Sequence, residues 1–358
     1  MSIVSSKRKN LQELLFPRGI PPLWCPSLTH FDAGRRIDLG RMQAHMAWMM
    51  PHVKGYLVPG STGDGWDLDD AETDTVVRFA VDMARKKGVS LLLGALRKST
   101  VDVTGSIERF LDILRKLTGK TDPLAALIAA GVSGFTICPP AGKDLDQATI
   151  GAALEIVLDK GLPVALYQLP QVTGNEAAPE TFARLVAKYP NLILFKDSSG
   201  ADRIALSGVD AHGVFLVRGA EGDYARWLRS AGGTYDGFLL STANSFPAGL
   251  LNVVDGIREG RPAEAVRISA ALSGAVGEVF GLVGEIPCGN AFTNANKAIE
   301  HFMAFGPKAA DREGPMLHGG IRIPAGIISA TGESLRRYGL MPEKGYWSKK
   351  RREEEQKS

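Results

Sequence analysis

The sequence predicts an α/β protein: a closed (β/α)8 barrel with an appended C-terminal helical subdomain. Eight short apolar runs recur from Pro22 onward, separated by stretches with helical periodicity. The runs are continuous rather than alternating, as strands covered on both faces must be, which marks a parallel sheet. No G-x-G-x-x-G follows the first run, and this weakens the rival doubly wound open sheet.

In chain order the strand-like runs are PLWCPSL (22–28), GYLVPG (55–60), SLLLGAL (90–96), GFTICPP (134–140), PVALYQLP (163–170), LILFKDS (192–198), VFLVRGAE (214–221) and YDGFLLST (235–242). Helical patterns lie between them at 38–50, 69–88, 146–161 and 179–190. Two more follow the last strand, at 264–284 and 290–306. The chain therefore divides into an N-terminal extension (1–21), the barrel (22–262), a C-terminal helical region (263–340) and a charged tail (341–358). The segment 117–130 reads as a small insertion before the fourth strand.

Composition narrows the function. The 358 residues are 44% hydrophobic and carry a net charge of +3, too little to argue for nucleic acid. The tail KKRREEEQKS balances its own charge and reads as a solvated end. Three scattered cysteines (Cys25, Cys138, Cys288) offer neither a disulfide framework nor a zinc motif. The six histidines show no HxH or HExxH spacing, so no metal site is expected. MSIVSSKRKNLQELLF lacks the apolar core of a signal peptide, and no 18-residue apolar run exists. A cytoplasmic protein with no membrane contact is the expectation.

Barrels of this kind carry their chemistry at the C-terminal strand ends. The sixth run places Lys196 there, at the end of LILFKD. Two readings fit it. The amine snorkels out of the strand or pairs with Asp197; or burial strips its proton and leaves a nucleophile towards carbonyl carbon. Shifting a lysine from about 10.4 to about 7 requires roughly 4.6 kcal/mol of differential destabilisation of the cation, which burial at a barrel mouth can supply. Tyr167 ends the adjacent strand and is either a packed core tyrosine or a proton carrier beside the amine. The turn GSTGDG (60–65) is either a plain Gly-rich connection or an anion cradle in which Ser61, Thr62 and Gly63 converge on a carboxylate.

Taken together and in order, GSTGD, YQLPQVTG and KDSSG resemble the dihydrodipicolinate synthase/N-acetylneuraminate lyase family, over about residues 22–340 and including NANKAIEHFMAFG. That resemblance implies a TIM barrel and a class I pyruvate-type aldolase or lyase without cofactor or metal. It implies that Lys196 forms a Schiff base with pyruvate or another 2-oxo acid, that Tyr167 shuttles protons, and that Ser61 and Thr62 grip the carboxylate. Gly219 falls where the family lines the pocket with backbone. The implied partners are the 2-oxo acid, an unidentified aldehyde and further copies of the chain, as a homo-oligomer (dimer or tetramer).

Three departures concern the second substrate. Val172 replaces the arginine that holds the aldehyde's carboxylate in synthases. Pro139, Pro140 and Ala141 replace an aromatic residue, and Gln168 an asparagine. A dehydratase of a sugar-derived 2-oxo acid is the nearest alternative, and a non-catalytic 2-oxo-acid-binding barrel the more distant one. Trp66, beside the turn, is either a packing tryptophan or one wall of an apolar pocket.

Overall fold

The computed structural model describes residues 2–347, so the expectation for KKRREEEQKS lies outside them. Eight parallel strands close into a barrel in sequence order. They are β1 (Leu23–Pro26), β2 (Gly55–Val58), β3 (Ser90–Gly94), β4 (Val132–Ile137), β5 (Val164–Gln168), β6 (Leu192–Asp197), β7 (Phe215–Arg218) and β8 (Gly237–Leu239). Pairing of Leu23 with Phe238 and of Trp24 with Leu239 closes the ring between β1 and β8. Seven of the predicted runs contain one strand each, and the fourth overlaps β4, which begins two residues before the run at Val132. All eight strands end short of the predicted runs, where the backbone turns into a loop.

The helices start where local chemistry supplies caps. Asp69 and Glu72 form a reciprocal capping box at the helix Asp70–Lys87, each side chain accepting from the other residue's backbone N–H. In the 117–130 segment, Asp122 caps a short helix, Pro123–Ala130, whose first residue is the proline that a first helical turn tolerates. It follows the long helix Thr100–Thr118 and precedes β4, as a second helix in that crossover.

Side chains fill the barrel in layers, as the twofold alternation of strands requires. One apolar cluster holds Trp24, Leu57, Leu92, Ala165, Leu194, Val217 and Leu239, drawn from seven of the strands. Trp24 fits because its neighbour across β1 and β2 is Gly55. A Cβ on Gly55 would overlap the indole, within 2.6 Å of Cε2.

The same cluster includes Leu15 and Phe16, from the end of the helix Ile3–Leu15. The Phe16 ring meets Trp24 edge to face at 6.0 Å. Arg8, near the middle of this helix, is fully buried and donates to the carbonyls of Leu192, Val186, Tyr189 and His212. Helix and arginine together stop the N-terminal end of the barrel. A cavity of about 650 Å³ borders this end, lined in part by Leu14, Ile20, Val89 and Ile128, remote from the C-terminal strand ends.

Two C-terminal helices have distinct jobs. Ala291–Phe305 is buried along nearly its whole length and lies across the loops that follow β2 and β8. Pro262–Leu282 has the length and the mean hydropathy, 1.3, of a membrane span, yet it is interrupted by Glu264, Arg267 and Glu278. Alanine, with valine, isoleucine, leucine and phenylalanine, raises that figure without forming a continuous apolar run. The helix packs through Ala265, Leu272, Val276 and Val279 against its helical neighbours. Its Glu278 accepts hydrogen bonds from Arg337 and Tyr338. Residues 341–347 also meet the body of the protein: buried Tyr346 hydrogen-bonds Arg41 and Glu300 and stacks on Trp48.

Replacing Arg8 by Ala leaves four carbonyl groups without their donor. Urea unfolding of Arg8→Ala should show a loss of about 3 kcal/mol, since hydrogen bonds from a charged donor contribute ~1.5–3 kcal/mol each and part of the loss is recovered by water. A change below ~0.5 kcal/mol, the scale of an ordinary surface substitution, would mean that the arginine is not what holds the helix in place.

Candidate active site

Alternation along the strands sends Leu194 into the barrel, hence Lys196 two residues on and Ser198 two beyond that. The same row on β7 runs Val217, Gly219, Glu221, and on β5 Ala165, Tyr167, Leu169. Tyr167 and Lys196 are register partners on adjacent strands. The amine lies over the phenol ring, 3.9 Å from its centroid. Lys196 is 3% exposed, and among the described residues its Nζ has neither an ion-pair partner nor a hydrogen bond. Pairing with Asp197 does not occur. As the next residue along the strand, Asp197 faces the other way, accepts from the Ser199 N–H at 2.8 Å and approaches the Tyr235 hydroxyl.

Burial is the main reason that the Lys196 amine is lowered to about 7, with Cys138, Glu221 and Cys25 pulling the other way. The aromatic face also favours the cation, and desolvation outweighs it. Burial pushes the Tyr167 phenol well above its ordinary range; the hydroxyls of Ser198 and Ser61 oppose that rise. At neutral pH the pair is thus an amine that releases its proton readily beside a phenol that keeps its own.

The GSTGDG segment forms a tight turn, Ser61–Gly63, directly after β2. Ser61 and Thr62 are buried, and the Ser61 hydroxyl faces the Tyr167 phenol without completing a hydrogen bond to any group among the described residues. A buried hydroxyl without a partner is costly in an empty site and useful in an occupied one. Asp64, held at a positive φ of 60°, pairs with Lys297 at 3.0 Å, both side chains 1% exposed. Asn290 and Thr293 donate to the Ser61 carbonyl. The helix Ala291–Phe305 therefore locks the turn from behind.

Gly219 owes its identity to the lysine. A Cβ there would lie 2.6 Å from Lys196 Cε and closer still to Ser198 Oγ. Gln168 is buried; its side chain accepts from the Ala177 N–H at 2.6 Å, which fixes the loop after β5. The Pro139–Ala141 segment is tied into that same loop, with Asn175 donating to the Pro140 carbonyl.

Three features were not foreseen. Ser198 faces the phenol. Glu221 accepts four hydrogen bonds, from the Ser241 hydroxyl, the Thr242 N–H and hydroxyl, and the Tyr224 hydroxyl. Both could have been found by extending the two-residue rows beyond Lys196 and Gly219. The Asp64–Lys297 pair joins residues 233 positions apart, and no local pattern announces it.

His30, His45 and Glu300 bring possible metal-ligand atoms within 4.8 Å of one another, although they are scattered in the sequence. Each is already engaged. His30 Nε2 meets His45 Nδ1 at 3.0 Å, His45 Nε2 meets the Asn244 carbonyl, and both oxygens of Glu300 accept from Arg41. The cluster is a buried polar brace under the C-terminal helices. Cys25 packs on the outer face of β1 against Met49, as a small apolar side chain. Cys138 stands with Tyr167 at the mouth.

Comparison with known proteins fits this arrangement. The model of the dihydrodipicolinate synthetase family matches residues 125–280. The 4-hydroxy-tetrahydrodipicolinate synthase of Xanthomonas campestris pv. campestris is 30% identical over 212 residues, 58% of this chain and 63% of that enzyme. A probable 5-dehydro-4-deoxyglucarate dehydratase of Pseudarthrobacter chlorophenolicus is 30% identical over 175 residues, 48% of this chain and 50% of that protein. The chain thus spans less than two thirds of the length of these relatives. Among solved structures, YagE, a prophage protein of the dihydrodipicolinic acid synthase family from E. coli K12 in complex with pyruvate, superposes with a TM-score of 0.71. It covers 90% of this chain and 99% of its own at 20% identity, a likeness of fold alone.

Gly219→Ala should disturb the lysine without unfolding the barrel, because the displaced atoms are side-chain ends. Near-UV circular dichroism should be preserved while covalent capture of a keto compound at Lys196 slows by about tenfold, the scale of a ~1.4 kcal/mol steric penalty. Unchanged capture would show that the lysine has room to spare.

Proposed function

We propose that this chain, whose residues 125–280 match the dihydrodipicolinate synthetase family model, is a class I aldolase or lyase that makes or breaks a carbon–carbon bond through an imine between Lys196 and a 2-oxo acid such as pyruvate. One observation carries the reading: a buried amine without an ion-pair partner among the described residues, lowered to about 7, against the ring of a tyrosine. In this reading the neutral Nζ attacks the keto carbon, and loss of water gives the imine. The imine nitrogen, once protonated, draws electrons from the neighbouring carbon, so that loss of a proton from that carbon gives an enamine.

The enamine carbon attacks the aldehyde carbon, the C–C bond forms, and the aldehyde oxygen takes up a proton. Water then releases the product and restores the amine. Tyr167 carries the protons, with Ser198 and Ser61 placed to exchange them. Ser61, Thr62 and Gly63 hold the carboxylate of the 2-oxo acid, supported by the free Ser61 hydroxyl. Gly219 leaves the space in which the adduct forms. The free cysteines fit a reducing, cytoplasmic setting, and family analogy favours a homo-oligomer, dimer or tetramer. Similarity to a probable dehydratase keeps dehydration of a sugar-derived 2-oxo acid as a second outcome of the same imine.

Treatment with pyruvate and borohydride should add a reduced pyruvyl group to the intact chain, mapped to Lys196 and absent from Lys196→Met. No adduct on that residue ends the proposal. The rate of capture should fall about tenfold per pH unit below about 7, as the amine gains its proton, and level off above it. A rate that is flat from pH 5 to 8 would contradict the lowered amine.

Tyr167→Phe keeps the ring under the amine and removes only the hydroxyl. Turnover should drop by about 10²–10⁴-fold with 2-oxo acid binding largely retained. A binding protein without catalysis would bind the 2-oxo acid, show no turnover and be indifferent to this change.

A further inference from the structure

The mouth of the barrel has two unlike walls. On one side, after β7 and β8, the polar groups are spent on each other. Both Glu221 oxygens accept two hydrogen bonds each from Ser241, Thr242 and Tyr224. A carboxylate offers about four acceptor positions, so this one has none left for a substrate hydroxyl. On the other side, after β2 to β5, lies an apolar cluster separate from the two that form the core. It contains Leu96, Cys138 and Leu169 with Tyr167, and is rimmed by the half-buried Trp66, Val172 and Phe292. Because Tyr167 belongs to it and touches Lys196, this wall adjoins the carbon at which the second substrate would react.

Burial raises the Cys138 thiol and keeps it neutral, so the wall carries no charge from that residue. The indole Nε1 of Trp66 is buried and has no hydrogen-bond partner, an unusual state for a donor of that kind. Val172 stands in this wall where a guanidinium would be needed to grip an anionic aldehyde.

We infer that the second-substrate side of the site takes an uncharged apolar aldehyde, aromatic by preference, against the Trp66, Val172 and Phe292 wall. The inference rests on the imine reading above and specifies its other half. The reaction balances as before: the enamine carbon of the Lys196-bound pyruvate bonds to the aryl aldehyde carbon, whose oxygen is protonated. Hydrolysis of the imine frees a 4-aryl-4-hydroxy-2-oxobutanoate, and the reverse sequence releases pyruvate and the aldehyde.

The test uses the full-length protein with pyruvate and three aldehydes of distinct chemistry: benzaldehyde, D-glyceraldehyde and succinic semialdehyde. The borohydride-trapped pyruvate adduct is measured in parallel. Expected is a kcat/KM for benzaldehyde exceeding the other two by about tenfold or more, the range that apolar pockets achieve. Val172→Arg should reverse the order of benzaldehyde and succinic semialdehyde. If the adduct forms but glyceraldehyde or succinic semialdehyde is used as well as benzaldehyde or better, the aryl pocket is wrong and the imine chemistry stands. If no adduct forms, the imine reading itself fails and this inference goes with it.

Discussion

Desolvation of one amine organises the upper half of this protein. Leu194 precedes Lys196 in its inward row and Val217 is its register partner on β7, the aromatic ring of Tyr167 lies against it, and no carboxylate approaches closely enough to pair. Such an arrangement is costly to the fold. The folded-state amine is lowered to about 7, so the unfolded chain binds this proton more tightly. The penalty is fully present below that pH and fades as pH rises towards the ordinary lysine range. A fold keeps a group of this kind only where the rest of its packing outweighs it, and the layered barrel interior provides that margin.

The carboxylate turn depends on a part of the chain that is not barrel at all. Asp64, in a left-handed conformation, is fixed by Lys297, and the Ser61 carbonyl is fixed by Asn290 and Thr293. A buried pair of this sort contributes little net stability, yet removing one partner strands the other charge. Its value is positional. The C-terminal helices thus complete the site from outside, while the strands supply the reacting side chains from inside.

Much of this was legible in the sequence, and for identifiable reasons. The eight strands announced themselves through continuous apolar runs, because both faces of a barrel strand are covered. Lys196, Tyr167 and the Ser61–Gly63 turn were visible because they break those runs at the same end. What escaped notice was non-local or self-cancelling. Arg8 stands in the basic stretch SKRKN, and nothing local announces that its guanidinium meets four distant carbonyls. The histidine–glutamate brace joins three separate stretches. Glu221 belongs to the right row, but its meaning lies in the donors that occupy it, and most of those come from the loop after the next strand.

The stopper at the barrel's N-terminal end has a temporal consequence. Arg8 finds its acceptors 178 to 204 positions further along the chain. During synthesis, this helix must therefore wait until the strands and loops carrying those carbonyls have followed before it can dock. Contacts of such long range are closed late in folding. Until then, the floor of the nascent barrel stays open.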